Sequence, residues 1–380
     1  MKRIRIGQIG IGNDHATPKL ETLLQLPDFF EVVGVVEEAN PAFPERRGQF
    51  QQVKRMTEEE LLATPGLRAV ALEANIRDAA AIALRCAERG MHLHVDKPAG
   101  ETLEPFKSVV EKCRTQKLVL QLGYMYRANP AVQFCLKAVR EGWLGEVFEI
   151  HAVMSHDYGG DDYRRYLSSY PAGTMFIFGC HLIDIVLSMV GRPDHVTSFL
   201  KATRADGVMD NSLAVLEYPR ASATIRTSQV EVDGMKHRRL IVCGTKGTVE
   251  LCPLEHPEDR YRLDPLHVRL TLREDIPGYK AGTHRVDCGV MNGRYADQLI
   301  EFARMVNGEI QNAYSYAHEL LVHETHLAAC GYNPWPSHSH HGADPYGRDG
   351  ARPSRKGHTG CVTLRRDDLR VVRKEACDHN

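Results

Sequence analysis

The chain has 380 residues, more than one ordinary core accommodates and enough for two domains. Hydrophobic residues make up 43% and charged residues 26%, and 48 basic against 49 acidic side chains leave a net charge of −1. That balance, with no basic face interleaved with aromatics, argues against nucleic acid, and no apolar stretch reaches the roughly 18 to 20 residues of a membrane helix.

RIRIGQIGIGNDH is a short apolar strand running into glycines. TPKLETLLQLP, with Leu20, Leu23 and Leu24 ahead of Pro27, predicts a helix. FEVVGVVEE is a nearly continuous apolar strand, as expected where both faces are covered. TEEELLATPG predicts a short helix capped by Thr57, LRAVALEAN a strand, and RDAAAIALRCAERG an Ala-rich helix ending at Gly90. MHLHVDKP, TLEPFKSVVEKCRTQK and LVLQLGYMYR continue as strand, helix and strand. Strands alternating with helices predict a parallel, doubly wound sheet with right-handed crossovers.

After ANPAVQFCLKAVREGWLGE the rhythm changes. Strand-like runs follow: VFEIHAVMS, HVTSFLKAT, NSLAVLEY, ASATIRTSQV, HRRLIVCG, GTVELC and LHVRLTLRE. Short turns join several of them, at Tyr218-Pro219-Arg220 and Gly244-Thr245-Lys246-Gly247, which predicts an antiparallel sheet. RYADQLIEFARMVNG and AYSYAHELLVHETHLAAC are predicted helices. From about residue 331 Pro, Gly, His, Ser and Arg dominate, the composition of a mobile tail. The expected domains are therefore 1–125, 126–330 and the tail 331–380.

GIGNDH, from Gly10 to His15, follows the first strand and opens a helix, the place of a dinucleotide fingerprint. Gly10 allows the tight turn, and Gly12 lets the backbone approach a pyrophosphate. Ile11, Asn13 and Asp14 complete the turn, whose helix N-terminus offers unpaired N–H groups to the anion. The third glycine is absent; His15 holds its place, which weakens helix packing more than phosphate binding. Glu37 ends the second strand, where an acid accepts hydrogen bonds from the ribose hydroxyls and repels a 2′-phosphate. NAD is the expected cofactor and NADP the alternative, with Arg46 and Arg47 the residues that would favour the latter.

HVDKPAG, QLGYMYRANP, REGWLGEV, FGCHLID, GTKGTVEL and YADQLIEF stand in an order and spacing that resemble the Gfo/Idh/MocA oxidoreductases, a family that includes glucose-fructose oxidoreductase and inositol dehydrogenases. The resemblance runs from about residue 3 to 330. It implies an N-terminal Rossmann-like parallel sheet and a C-terminal α+β domain with a large open antiparallel sheet, an α/β protein overall. It also implies a homodimer or homotetramer formed through that sheet, and hydride transfer between a nicotinamide and a sugar, polyol or related carbinol at the domain junction.

Carried over residue by residue, the resemblance makes Lys97, in Asp96-Lys97-Pro98, the catalytic lysine that stabilises developing alkoxide charge. His181 becomes the proton acceptor, since an imidazole titrates near neutrality. Relatives carry an acid four residues before that histidine; here the position is Ile177. Asp184, three residues after it, is the expected substitute for orienting the ring. The Lys97–Pro98 bond is a candidate cis bond by the same resemblance. Asp96, Glu73 and Asn75 match segments flanking the cofactor. Tyr126, Arg127, His156, Tyr163 and Arg164 match segments around the substrate.

Other signals point away from alternative chemistries. HELLVHETH lacks the second histidine of a zinc helix because position 322 is Val322, so His323 and His326 are expected at the surface and no metal site is expected. MKRIRIGQIGIG reaches glycines before any long apolar region and does not read as a signal peptide. The ten cysteines are scattered without a CxxC and sit in apolar settings, as buried thiols in a reducing cytoplasm would. Two rival readings remain open at this stage. One is a lyase or glycoside-cleaving enzyme that oxidises its substrate transiently with bound NAD; the other is a non-catalytic ligand-binding relative.

Overall fold

The computed structural model describes residues 2–39, 53–157, 160–256, 265–291 and 293–336. The expectations placed on Arg46, on Arg47 and on the segment after 336 lie outside the described residues.

The N-terminal part builds a six-stranded sheet from β1 (Ile4–Ile9), β2 (Phe30–Val36), β3 (Arg55–Met56), β4 (Ala69–Leu72), β5 (His92–Val95) and β6 (Leu120–Leu122). Their order is β3-β2-β1-β4-β5-β6, and every neighbouring pair is parallel. The crossovers run through α1 (Ala16–Leu24), α2 (Glu58–Leu62), α3 (Ile76–Glu88) and α4 (Leu103–Gln116). Local chemistry fixes their ends. Thr57 and Glu60 form a reciprocal capping box on α2, the Asn75 side chain caps α3, and Gly90 takes the left-handed conformation (φ +77°) just beyond α3. The strand order reverses between β1 and β4, which opens a crevice beyond the carboxyl ends of the strands.

Asn129 caps α5 (Pro130–Arg140), which has proline in its first turn and leads into the second sheet. That sheet comprises β7 (Val147–Ser155), β8 (His195–Lys201), β9 (Asn211–Tyr218), β10 (Ala221–Ser228), β11 (Arg239–Gly244), β12 (Gly247–Leu251), β13 (His267–Leu272) and β14 (Gly282–Asp287). Its order is β14-β13-β12-β11-β7-β10-β9-β8. Seven strand runs are legible in the sequence; β14, with its polar GTHRVD, is the added one. The sheet is also not wholly antiparallel, because β7 and β10 pair in parallel, from Glu149 opposite Ser222 to Ser155 opposite Ser228. The cause is the connection after β7. The chain leaves the sheet through α6 (Asp161–Ser168), a π-turn at Met175–Gly179 and α7 (Cys180–Val190), re-enters at the β8 edge and meanders back to β7.

The inner face of this sheet, with Ala214, Leu216, Ala223, Ile225, Leu240 and Val242, is buried. α7 and α9 (Tyr316–Ala329) cover part of it. α8 (Ala296–Val306) behaves differently. Its Leu299, Phe302 and Ala303 join Ile4, Ile6, Leu23 and Phe30 in one cluster, so it returns to the parallel sheet although it lies inside the segment 126–330. Each such fully buried Leu or Phe contributes roughly 1.5–3 kcal/mol. No helix among the described residues is long and apolar enough to cross a membrane.

Candidate active site

Gly10 sits at φ +99°, and a Cβ there would lie 2.3 Å from the carbonyl carbon and oxygen of Glu73. No side chain fits, so the turn and the end of β4 approach backbone to backbone. The Asn13 amide ties the same two elements together by donating to the carbonyls of Glu73 and, at 2.6 Å, Ala74. Ile11 is buried beneath the turn. α1 begins without a side-chain cap and without an acid in its first turn. Its orphan N–H groups open where Asn13, Asp14, His15 and Thr17 line a cleft of about 430 Å³.

The acid at this turn is Glu38 rather than Glu37. Glu38 is 5% exposed, and its carboxylate accepts from the backbone N–H of Ile11 at 2.8 Å and of Gly12 at 3.2 Å. Glu37 instead pairs with Arg55 at 3.0 Å. The sequence holds both acids side by side, and only the direction of the chain as it leaves β2 selects between them. An uncapped helix start, a turn that excludes any Cβ and a buried carboxylate held against that turn fit the pyrophosphate and ribose of a dinucleotide.

Lys97 and His181 line the same cleft. Lys97 stands at the carboxyl end of β5, its bond to Pro98 is cis, and it is 6% exposed. Its Nζ donates to the carbonyl oxygen of Ile177 at 3.3 Å. Ile177 lies in the π-turn, where the helical hydrogen-bond pattern is displaced. The neighbouring carbonyl of Met175 is likewise used from outside, by His326 Nε2 at 3.2 Å. His181 follows the turn by two residues and packs edge-on against the rings of Tyr124 and Tyr126. Its Nδ1 is buried without a hydrogen-bond partner. Burial, then the Lys97 charge, holds its pKa well below the usual histidine value, so the ring is neutral at neutral pH. Asp96 accepts from His15 Nδ1 at 2.9 Å. Burial alone would raise the Asp96 carboxyl, but His15, Lys97 and Lys19 outweigh it and hold it low. His15, which replaces the third glycine, thus bridges the cofactor turn and the lysine strand.

Several residues singled out in the sequence lie elsewhere. Asp184 does not reach His181. It accepts from Arg127 at 2.7, 3.0 and 3.2 Å and pairs with His318 at 2.9 Å. Arg127 is consumed by Asp184 and Glu319 and stacks against Tyr124 and Tyr314, so it holds elements together and does not line the cleft. Tyr126 is buried, with its hydroxyl on Glu255 at 3.1 Å. Arg164 pairs with Asp206 and Asp210, behind the cleft wall. The Glu73 carboxylate is fully buried beside Lys19 at 3.3 Å. Asn75 is spent on the α3 cap. His156 and Tyr163 do line the cleft.

The structure adds Arg238, Arg294, Tyr166 and Tyr295 to the lining, which the sequence reading passed over. Tyr295 opens YADQLIEF and Arg294 stands directly before it, and that placement is the one signal that could have found them. His323 and His326 are buried, not at the surface, and no metal-binding cluster occurs among the described residues. Cys252 is exposed, and Cys243 and Cys288 are half-buried, so the thiols are not uniformly buried.

Residues 4–124 match the family model of NAD-binding Rossmann-fold oxidoreductases, and residues 132–250 match the model of the GFO/IDH/MocA C-terminal domain. An uncharacterized oxidoreductase of Escherichia coli is 27% identical over 248 residues, 63% of this chain and 69% of that protein. Levoglucosan dehydrogenase of Pseudarthrobacter phenanthrenivorans is 24% identical over 216 residues, 53% of this chain and 54% of that protein. A solved structure of levoglucosan dehydrogenase, in complex with NADH and levoglucosan, shares the fold at a TM-score of 0.68 and 18% identity, over 87% of this chain and 98% of that one. The scyllo-inositol 2-dehydrogenase (NAD(+)) of Bacillus subtilis is 22% identical over 238 residues, 60% of this chain and 67% of that protein. The two matched models span the parallel sheet and much of the second one, and the chain belongs to the Gfo/Idh/MocA family of NAD-binding oxidoreductases.

Proposed function

We propose that the protein oxidises a secondary hydroxyl of a sugar-like or polyol substrate with NAD. The observation that carries this reading is the convergence of neutral His181 and cationic Lys97 on one cleft that begins at the glycine turn. The names of two relatives, dehydrogenases of levoglucosan and of scyllo-inositol, support the substrate class.

Bound NAD supplies the hydride acceptor. The chain supplies everything else. The orphan N–H groups at the α1 N-terminus would hold the pyrophosphate, and Glu38, fixed by the Ile11 and Gly12 N–H groups, would hold the adenosine ribose and exclude a 2′-phosphate. His181 takes the hydroxyl proton, and Lys97 donates to the same oxygen as its charge develops. The Ile177 carbonyl does part of the work of the acid that relatives place at this position, because it fixes the ammonium of Lys97. Tyr124 and Tyr126 fix the plane of the His181 ring in place of a carboxylate.

The outer face of the second sheet carries half-buried Leu213, Val215 and Ile241 with exposed Phe199, and nothing described packs on it. That apolar surface supports a homo-oligomer formed sheet to sheet. The described cysteines are all free thiols, which supports a reducing, cytoplasmic setting.

The test is NADH formation across a panel of sugars, cyclitols, anhydrosugars and sugar acids. At least one is expected to turn over with NAD, and His181→Ala to suppress it. A protein that binds NAD yet reduces none of it with any member of the panel would refute the reading.

A further inference from the structure

The cleft is lined by three basic side chains, Lys97, Arg238 and Arg294, and by two carboxylates, Asp14 and Asp96. Asp96 is engaged by His15, and Asp14 lies at the start of α1, at the cofactor end. Among the described residues, the buried acid behind the two arginines is Glu255. Arg294 reaches it with Nε at 3.1 Å and with Nη2 at 2.9 Å to each oxygen. Arg238 reaches the same carboxylate with Nη1. Among the described residues, two guanidinium groups share this one carboxylate, which leaves one positive charge over.

The two arginines are not equivalent. Arg238 is fully buried and spent: Nε donates to the Ser155 carbonyl at 3.1 Å, Nη1 to Glu255 and Nη2 to His156. It is a strut that aims His156. Arg294 uses one edge, Nε and Nη2, on Glu255, and Nη1 takes no part in that pair. Its side chain keeps 14% exposure where it borders the cleft. A guanidinium fixed along one edge and open along the other is a preorganised receptor for an oxyanion.

We infer that Arg294 is a specificity residue that receives a carboxylate of the substrate, so that the preferred substrates are sugar acids, aldonates or uronates, rather than neutral sugars. The inference rests on the proposed function and refines its substrate class. The surplus of one charge matches a carboxylate better than the nearly double charge of a phosphate ester. The placement also links recognition to chemistry. Arg294 is among the charges that depress the His181 pKa. A carboxylate bound on Arg294 offsets part of that field and makes His181 a stronger proton acceptor when the right substrate is seated.

Calorimetric titration in the presence of NADH tests this without requiring turnover. D-glucuronate, D-galacturonate and D-gluconate are compared with D-glucose and D-galactose, and with glucose 6-phosphate. At least one acid is expected to bind tenfold or more tightly than its neutral counterpart. Arg294→Met is expected to erase that advantage and Arg294→Lys to keep part of it. The wild-type comparison stands even if the variants do not fold. The inference is overturned if no acid outbinds its neutral counterpart, if the phosphate ester binds tightest, or if a folded Arg294→Met protein keeps the preference. NADH formation from neutral sugars alone would overturn it while leaving the proposed function intact. Acid binding with no NADH formation from any panel member would do the reverse.

Discussion

Arg127 donates to both oxygens of Asp184 from Nε and Nη2, at 2.7 to 3.2 Å, and reaches Glu319 with Nη1 at 2.6 Å and Nη2 at 2.8 Å. All three groups are buried, and they join the 3₁₀ turn Met125–Ala128 to α7 and α9. Burial would raise the Asp184 carboxyl, but Arg127 and His318 outweigh it and keep it ionised. Removing one partner of such a network strands a charge in the interior and costs about 3–5 kcal/mol. Asp184→Ala is therefore expected to lower the melting temperature by many degrees. Activity lost in the surviving folded fraction should be modest. A variant that melts like the wild type but turns over a hundredfold slower would restore Asp184 to the chemistry.

His181 and Lys97 predict the opposite pattern. Losing a general base typically costs about 10² to 10⁴ in rate. His181→Ala should lose turnover by that order, with NAD affinity unchanged within a few fold. The depressed His181 pKa keeps the imidazole neutral as the pH falls to 6.5, so the acid limb of kcat/KM for oxidation should lie below that value. Lys97→Met removes the largest of the charges that depress it and should shift the limb upward, though not past 6.5, because burial, the leading cause, persists. A wild-type limb at or above pH 7, or no shift in the variant, would count against His181 as the acceptor.

Periodicity and turn chemistry suffice for the elements. Thr57 and Gly90 announce helix ends that the structure also has, because capping is local. The parallel pairing of β7 with β10 is not local: it depends on where the chain re-enters after α7. The site divides in the same way. Lys97 and His181 are placed by short motifs at element ends. Asp184, Arg127 and Arg164 carry the right chemistry for a site, but they are spent on pairs whose members lie far apart in sequence: Arg127–Asp184 at 57 residues, Arg127–Glu319 at 192 and Arg164–Asp210 at 46. Spacing along one helix put Asp184 near His181; the helix face it occupies put it against Arg127. The π-turn at Met175–Gly179 leaves no recognisable trace in the apolar run MFIFG.

Glu38 and Glu37 differ in what they touch, and cofactor choice separates them. Glu38 accepts from two backbone N–H groups of the glycine turn, while Glu37 sits on Arg55 in a partly exposed pair. Exposed pairs of this kind are worth only about 0–1 kcal/mol. Glu38→Gln should narrow the preference for NAD over NADP by at least tenfold, measured as the ratio of dissociation constants. Glu37→Gln should change that ratio less than threefold. The reverse ranking would place Glu37 at the ribose after all.

His94, His323 and His326 give the fold a pH dependence of its own. All three are buried, and burial lowers their pKa values to about 3, about 4 and about 3. The tautomers agree with this. His94 Nδ1 meets the Gln121 side-chain oxygen at 2.8 Å while Nε2 faces Lys19, and His323 and His326 each place Nε2 on a carbonyl. In the unfolded chain each titrates near 6.5. As the pH falls below that value the unfolded chain binds protons that the folded chain refuses. Stability is thus fully present above about pH 6.5 and is lost down to the folded pKa values, by on the order of 1.4 kcal/mol per pH unit for each histidine. Glu73, whose pKa burial raises, works in the opposite direction over part of the same range, but His92, His156 and His181, which burial also holds low, act in the same direction as these three. The melting temperature is therefore expected to fall steadily between pH 6.5 and 4.5. His323→Gln keeps a donor for the Thr102 carbonyl without a titrating ring, and should flatten that slope by one histidine's share, on the order of 1.4 kcal/mol per pH unit. A melting temperature that holds constant from pH 7.5 to 5, or a variant with the full wild-type slope, would show that these histidines are not the groups that set acid stability.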